Sequence, residues 1–215
     1  MAKAYLVRVR GDFACWTRPE FKTERVSYEV ITPSAARGIL EAILWKPAIR
    51  WQIRRILLLA QPKFVQFKRN EVNTRASTRN ALAAMRADKP YDYFADEDRA
   101  QRNTVALRDV DYAVEAEFAF TARRGPDDNE NKFDAMFRRR LEKGQFHMQP
   151  YLGCREFPAI VEPYTGDPPP IADETRDLGY MLHDLRFESR GNTPVFFQAR
   201  LRNGVIEVPE WEEAA

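Results

Sequence analysis

The chain has 215 residues, of which 44% are hydrophobic and 12% aromatic, a composition that supplies a folded core and excludes wholesale disorder. Its 34 basic and 32 acidic side chains leave a net charge of only +2, so the distribution of charge says more about partners than its sum. No apolar run is long enough to cross a bilayer, and the N-terminus lacks the apolar segment of a signal peptide. We therefore expect a soluble cytoplasmic protein that does not bind membranes.

The first half of the chain predicts a strand, a helix and two more strands. Residues 4–15 alternate between apolar and polar side chains, which is typical of a half-buried strand. Ser34 is a candidate N-cap for a helix over residues 35–45, whose apolar side chains recur at helical spacing. Residues 49–72 predict two strands that are interrupted near Gln61 and Pro62.

The middle of the chain loses this periodicity and then regains it. Residues 73–103 are polar and Arg-rich and predict a long loop, with a short helix at ALAAMRA. Residues 106–123 alternate more regularly than any other segment and predict a strand. A helix is expected over residues 131–145, with Phe133 on its apolar side and a stop at Gly144.

Residues 150–208 predict only strands, including a hairpin at Arg202-Asn203-Gly204, because Asn-Gly suits a tight primed turn. The order of the elements predicts an α+β protein with a ferredoxin-like (RRM-like) N-terminal domain, followed by a small antiparallel β-sheet domain. We place the boundary between residues 1–145 and 146–215, with residues 73–103 as an insertion in the first domain.

Basic side chains concentrate between residues 46 and 79, where Glu71 is the one acidic residue. Trp45, Trp51, Phe64 and Phe67 are interleaved with them, so the segment offers rings for bases and cations for phosphates. The alternative is an ordinary solvated strand face. We favour nucleic-acid binding, and the candidate RNA-binding residues in and beside this basic run are Trp45, Arg50, Lys68, Arg69, Arg75 and Arg79.

A second basic cluster lies on the predicted helix of residues 131–145 and includes Arg138, which we add to the RNA-binding candidates. A solvated helix face explains this cluster equally well.

Familiar catalytic motifs are absent, and the two cysteines, Cys15 and Cys154, lack the C-x-x-C spacing of a structural zinc site. Of the two histidines, His147 follows the helix in a polar connection and is a candidate catalytic residue.

Several stretches together resemble the CRISPR-associated family-five protein of subtype I-C, which belongs to the RAMP group of CRISPR RNA-handling proteins. They are GDFACWTRPEFKTERVSYEVITPSAARGILEAILWKPAIRW, KRNEV, DVDYAVEAEF, YLGCREFPA and RDLGYMLHDLRF, and the resemblance extends from residue 4 to about residue 208. It implies a nuclease that cuts CRISPR repeat RNA at the base of its hairpin by 2′-hydroxyl attack, without a metal or cofactor. It further implies that the protein keeps the 5′ handle of the product and joins the backbone and large subunits of the type I-C interference complex.

The resemblance also implies a catalytic set, which this sequence retains only in part. The family's tyrosine falls on Leu44, its lysine on Lys132 and its histidine on Phe133. Lys132 can stabilise phosphate charge, whereas the side chains of Leu44 and Phe133 cannot transfer a proton. The candidate catalytic residues are therefore Lys132, Lys46 and His147.

Three alternatives follow from this partial set. Another group of residues, drawn from Lys46, Tyr91, Tyr93 and His147, could act on the scissile phosphate. The enzyme could instead cut slowly with Lys132 alone, or it could bind the handle without cutting. We favour the processing nuclease over a non-catalytic handle-binding subunit, and we keep duplex DNA as a weaker candidate partner.

Overall fold

The structure is a computed structural model that describes residues 3–21, 23–188 and 191–210. It is an α+β protein whose strands and helices, within those ranges, are β1 (Tyr5–Ala14), β2 (Arg25–Val26), α1 (Pro33–Ile43), β3 (Ile49–Leu58), β4 (Lys63–Val72), α2 (Thr78–Arg86), β5 (Arg99–Phe120), α3 (Glu130–Glu142), β6 (Ile160–Pro163), β7 (Arg176–Glu188), β8 (Gly191–Arg202) and β9 (Val205–Glu207). The α+β class, the two helices α1 and α3 and the two successive strands β3 and β4 confirm the predictions from sequence.

The strands form one mostly antiparallel sheet in the order β6-β1-β5-β3-β9-β8-β7. β2 and β4 lie off this path and pair with the first half of β5, β2 in parallel and β4 antiparallel. The second half of β5 pairs with β1 and β3. The 22-residue strand β5 therefore links the central sheet to a projecting ribbon, and we call β4, α2 and the first half of β5 the arm.

The arm corrects the prediction of a loop over residues 73–103. β5 begins at Arg99 rather than near residue 106, and its first residues are paired along their length with β4. These residues are polar on both faces, so no apolar alternation marks them as a strand. Helix α2 confirms the predicted short helix, although it begins earlier, at Thr78, with the Ser77 side chain as its N-cap.

The N-cap of helix α1 lies two residues before the predicted one. The Thr32 hydroxyl, not Ser34, accepts a hydrogen bond from the Ala35 backbone N–H at 3.2 Å. Pro33 then occupies the first helical position, where a missing N–H costs nothing and the fixed φ suits a helix. The helix buries Ile39, Leu40 and Ile43, as its periodicity predicted.

Aromatic rings fill the core between the helices and the sheet. Tyr5 of β1 lies 5.4 Å from Trp51 of β3 and 5.1 Å from Phe137 of α3, measured between ring centroids. Phe133, one helical turn before Phe137, packs against Phe118 at 6.1 Å. Such edge-to-face contacts add to the free energy of burial and fix α3 against the sheet.

The C-terminal strands complete the same sheet. β9 pairs with β3 on one side and with β8 on the other. β8 and β9 are joined at Asn203 and Gly204, whose φ angles of 49° and 74° fit the predicted primed turn. The division at residue 145 stays a prediction. Strands from both sides of it share one sheet.

Candidate nucleic-acid interface

The C-terminal end of helix α1 places two neighbouring side chains in opposite environments. Leu44 is fully buried, whereas Trp45 is 54% exposed. The helix end is held by two side-chain donors, because Trp51 Nε1 donates to the Leu44 carbonyl at 2.9 Å and Arg140 donates to the Ile43 carbonyl at 2.7 Å. The fixed helix end makes Trp45 the residue that projects into solvent.

Trp45 forms one wall of an open cleft of about 550 Å³ that we call the basic cleft. Five of its lining side chains are basic and one, Glu41, is acidic. The cleft is lined by residues from α1, from the turn before β3, from the end of β5 and from β7: Arg37, Glu41, Trp45, Lys46, Pro47, Ile49, Arg50, Thr121, Ala122, Arg123, Leu185, Arg186 and Phe187. This charge balance and the exposed rings of Trp45 and Phe187 suit a phosphate-bearing strand with unstacked bases.

A buried carboxylate holds two of the arginines that line the basic cleft. Asp184 of β7 is 5% exposed and accepts two hydrogen bonds from the Arg37 guanidinium, at 2.7 and 2.9 Å. Arg50 lies 3.9 Å from the same carboxylate, and Arg37 also pairs with Glu41 at 2.7 Å. The bidentate pair fixes α1 against β7, so the two elements that line the cleft are held in register.

A second cleft, of about 460 Å³, adjoins the basic cleft at Glu41 and Trp45, and we call it the apolar cleft. It runs along α1 and is closed by the segment after α3; its lining residues are Ser34, Ala35, Gly38, Ile39, Glu41, Ala42, Trp45, His147, Met148, Tyr151 and Gly153. The backbone N–H groups of His147 and Met148 both point to the Ala42 carbonyl, at 2.8 and 3.3 Å. These bonds place the exposed His147 side chain at the cleft wall.

Lys132 lies apart from both clefts, in the first turn of α3. Its backbone N–H is capped by the Asn129 side chain at 2.9 Å, and its Nζ donates to Asp128 Oδ1 at 2.9 Å. The hydrogen bond from Lys132 lowers the pKa of the Asp128 carboxyl, so the two side chains form an ion pair. Lys132 is half-exposed there and can exchange this carboxylate for a phosphate.

The two residues onto which the resemblance places the family's tyrosine and histidine are core residues in this chain. Leu44 has no exposed surface, and Phe133 is 2% exposed beneath Phe118 and Phe120. Both side chains therefore lack a transferable proton and are also inaccessible to RNA. At the helix end, the residue that faces the clefts is Trp45.

The basic run has further acidic partners once the strands are paired. Arg54 and Arg55 of β3 contact Glu117 and Glu115 of the adjacent β5. These carboxylates alternate along β5, and the antiparallel register brings them beside the arginines. A charge count along the sequence misses such partners because they lie about 60 residues away.

The remaining arm residues differ in what they contact. Arg69 forms an ion pair with Glu156 and stacks over the rings of Phe67 and Phe157, so its side chain is only 15% exposed. Lys68, Arg75 and Arg79 are exposed. The arm's two tyrosines hold its loop, since Tyr91 accepts a hydrogen bond from the Ser77 N–H and Tyr93 donates to the Thr74 carbonyl.

The structure therefore brings together only part of the predicted site. Trp45, Lys46 and Arg50 line the basic cleft, and His147 lines the adjoining apolar cleft. Arg138 pairs with Asp134 and lies over the Tyr5 ring, beside a different cleft. Neither of the two clefts at Trp45 is lined by Lys132, Lys68, Arg69, Arg75, Arg79 or Arg138.

Sequence reasoning missed four residues of the basic cleft: Arg37, Arg123, Arg186 and Phe187. They come from three segments that no local charge run joins, and their proximity follows only from the sheet order. Among the described residues, no cluster of three or more His, Cys, Asp or Glu side chains is placed to hold a metal ion. No helix in the described ranges is long and apolar enough to span a bilayer.

Known proteins resemble this chain along nearly its whole length. A family model described as CRISPR-associated protein (Cas_Cas5) matches residues 4–209. A protein of Mannheimia succiniciproducens named CRISPR pre-crRNA endoribonuclease Cas5d is 47% identical and covers 97% of this chain and 96% of its own. A Thermus thermophilus protein of the same name is 43% identical over 94% of this chain and 90% of its own.

Two solved structures share the fold. The crystal structure of a CRISPR-associated protein superposes with a TM-score of 0.73 at 23% identity and covers 99% of this chain and 95% of its own. A chain of a CRISPR RNA-guided surveillance complex superposes with a TM-score of 0.53 at 17% identity, over 97% of this chain and 92% of its own. At these identities the likeness concerns the fold alone.

Proposed function

The chain belongs to the CRISPR-associated Cas5 family, subtype I-C, and from this premise we propose that it is an endoribonuclease that cuts CRISPR repeat RNA. The observation that carries the proposal is the 47% identity, over 97% of the chain, to a protein named as a pre-crRNA endoribonuclease. After cleavage the protein stays on the 5′ handle and joins the backbone and large subunits of the type I-C interference complex. It acts in the cytoplasm, where the repeat transcripts are made.

The reaction is an attack of the 2′-hydroxyl on the adjacent phosphorus, which leaves a 2′,3′-cyclic phosphate and a 5′-hydroxyl. It needs a base for the 2′ proton, a cation for the charge that develops on the phosphorane and an acid for the leaving oxygen. Two alternative sets lie at different places. In one, Lys132 supplies the cation once it leaves Asp128. In the other, Lys46 and His147, which line the two clefts at Trp45, hold charge and move a proton. No step requires a metal ion.

The handle lies in the basic cleft. Its phosphates pair with the exposed cations Arg50, Arg123 and Arg186, and its bases stack on Trp45 and Phe187. The exposed Lys68, Arg75 and Arg79 of the arm extend the same RNA-binding surface beyond the cleft. Arg69 and Arg138, which already have carboxylate partners, contribute through position rather than through free charge.

A non-catalytic handle-binding subunit is the second candidate function. The observation that favours it is the burial of Leu44 and Phe133, which removes two of the family's three catalytic positions from contact with RNA. Non-specific binding of duplex DNA through the same basic surface is a weaker candidate, and a steep loss of affinity with salt without sequence preference would identify it.

The strand order and the two packed helices also support a more specific fold for the N-terminal part. We infer a ferredoxin-like arrangement for the N-terminal part, supported by the order β6-β1-β5-β3 and by α1 and α3, which pack on the sheet. In this arrangement the helices cover one face of the four strands, and the end of α1 meets the end of β5 at the basic cleft.

Incubation of the purified protein with its own repeat RNA in EDTA tests the proposal. We expect one cut at the base of the hairpin. Tight binding of the hairpin without any cut would contradict the enzyme and favour the structural subunit. Equal affinity for unrelated duplexes would favour the general nucleic-acid binder.

A further inference from the structure

The indole of Trp45 is a wall shared by the two clefts. Glu41, one turn earlier on α1, is the other residue that lines both. The basic cleft offers cations beside the indole, whereas the apolar cleft offers methyl, thioether and ring surfaces, from Ile39, Met148 and Tyr151. A nucleotide has this same division, since its phosphate is charged and its base is a flat ring with a polar edge.

The apolar cleft has the size and the chemistry of a site for one base. Its volume of about 460 Å³ lies in the range of clefts that bind small ligands. Ring surface for stacking comes from the half-exposed Trp45. Polar groups that can hydrogen-bond the edge of a base are provided by Ser34, Glu41 and His147 at the rim.

Gly38 indicates that the space is kept open. It lies inside α1, where glycine destabilises a helix relative to alanine, and its helical backbone does not require glycine. A Cβ built on Gly38 meets no atom within 4 Å, so no close contact requires glycine either. The residue lines the apolar cleft, and any side chain there would project into the volume.

We propose that the apolar cleft holds one unpaired base of the bound RNA, flipped against Trp45, while the neighbouring phosphates of the same strand lie in the basic cleft. This site rests on the proposed RNA-binding function and adds to it a pocket for a single base. The continuity of the two clefts and the positive charge of one of them favour a nucleotide over a side chain of a protein partner.

Filling the pocket from within the helix tests the site. Gly38→Leu adds a side chain whose Cβ meets no atom within 4 Å and favours the helix, so the variant should melt no lower than the wild type. Ala135→Leu, an exposed position on α3 outside both clefts, is the matched control. Each protein is titrated with its repeat RNA and with a set of repeat RNAs that carry one abasic site each.

For the wild type and Ala135→Leu, we expect one abasic position to weaken binding about tenfold, the loss typical of one stacked base. Gly38→Leu should bind the intact RNA about tenfold more weakly and lose nothing further with that abasic RNA. Trp45→Ala, which removes the shared wall, should behave in the same way and covers the case in which Gly38→Leu fails to fold.

Three results would overturn the site. They are wild-type affinity of Gly38→Leu for intact RNA, an abasic penalty that persists in both Gly38→Leu and Trp45→Ala, and the lack of any abasic penalty in the wild type. A wild type that does not bind its repeat RNA at all would overturn the proposed function as well. The wild-type titration alone therefore separates the two failures.

Discussion

Single residues decide whether this chain can carry out the chemistry of its family. The resemblance places the family's tyrosine on Leu44 and its histidine on Phe133, and both side chains are enclosed by the core. Neither side chain can transfer a proton. Helical periodicity predicted an apolar position for both, whereas their complete burial depends on how α1 and α3 pack against β3 and β5.

Restoring the family residues should therefore fail to restore catalysis. Leu44→Tyr adds atoms to a filled site and should cost about 1–3 kcal/mol of unfolding free energy. Phe133→His buries a polar ring among Phe118 and Phe120, and we expect a loss of about 1–3 kcal/mol. Urea titrations and single-turnover cleavage of repeat RNA measure both effects. A double variant that is stable and cuts faster than the wild type would show that these positions reach the RNA.

Lys132 is the one residue of the family's set that the resemblance finds retained, and its exposure allows it to meet a phosphate. Lys132→Ala should slow cleavage about 10²–10³-fold, as the removal of one group that stabilises the transition state does, and should weaken binding far less. Cleavage rates at saturating protein and dissociation constants separate the two effects. Lys143→Ala, a cation at the other end of α3, is the control. Equal losses in rate and affinity would reduce Lys132 to a simple phosphate contact.

At the scale of the elements, periodicity predicted α1, α3 and the second half of β5 because each buries one face. It failed for residues 99–104 of β5, which are mostly polar and are ordered by pairing with β4. The N-terminus of α1 was also missed, since Thr32 and Ser34 are both good caps and only the position of Pro33 favours Thr32.

The arm provides a pair of arginines that should respond differently to the same change. Arg69 is held by Glu156 and two rings, so Arg69→Ala should lower the unfolding free energy by about 1–2 kcal/mol. Arg75 is exposed, so Arg75→Ala should leave stability unchanged and weaken RNA binding. The slope of log K against log salt concentration should become shallower by about 0.7 per lost phosphate contact. Thermal melts and titrations at several salt concentrations test both. Unchanged RNA affinity in Arg75→Ala would return the arm to the solvated-face alternative.

At the scale of the whole molecule, the basic cleft depends on contacts between distant parts of the chain. Arg37 and Asp184 are 147 residues apart, and their bidentate pair joins α1 to β7. No spacing or local composition in the sequence points to such a contact. Trp45, Lys46 and Arg50 could be predicted because they are adjacent in the chain, whereas Arg123 and Arg186 could not.

The shared sheet makes a prediction about unfolding. β6 pairs with β1 and β9 pairs with β3, so the C-terminal strands are part of the sheet that the N-terminal strands form. We expect one cooperative transition in urea, coincident by tryptophan fluorescence and circular dichroism. Two separate transitions would instead support independent domains with a boundary near residue 145.

Cleavage of repeat RNA by attack of the 2′-hydroxyl can be tested by comparing two RNAs that differ in one hydroxyl group. The wild-type protein is incubated in EDTA with its repeat RNA and with the same RNA that carries a single 2′-deoxy substitution at the mapped cut. We expect one cut of the all-ribose RNA, with a 2′,3′-cyclic phosphate product, and no cut of the substituted RNA. The protein should bind both RNAs with equal affinity. An uncut all-ribose RNA, or cleavage of both RNAs, would contradict cleavage by 2′-hydroxyl attack.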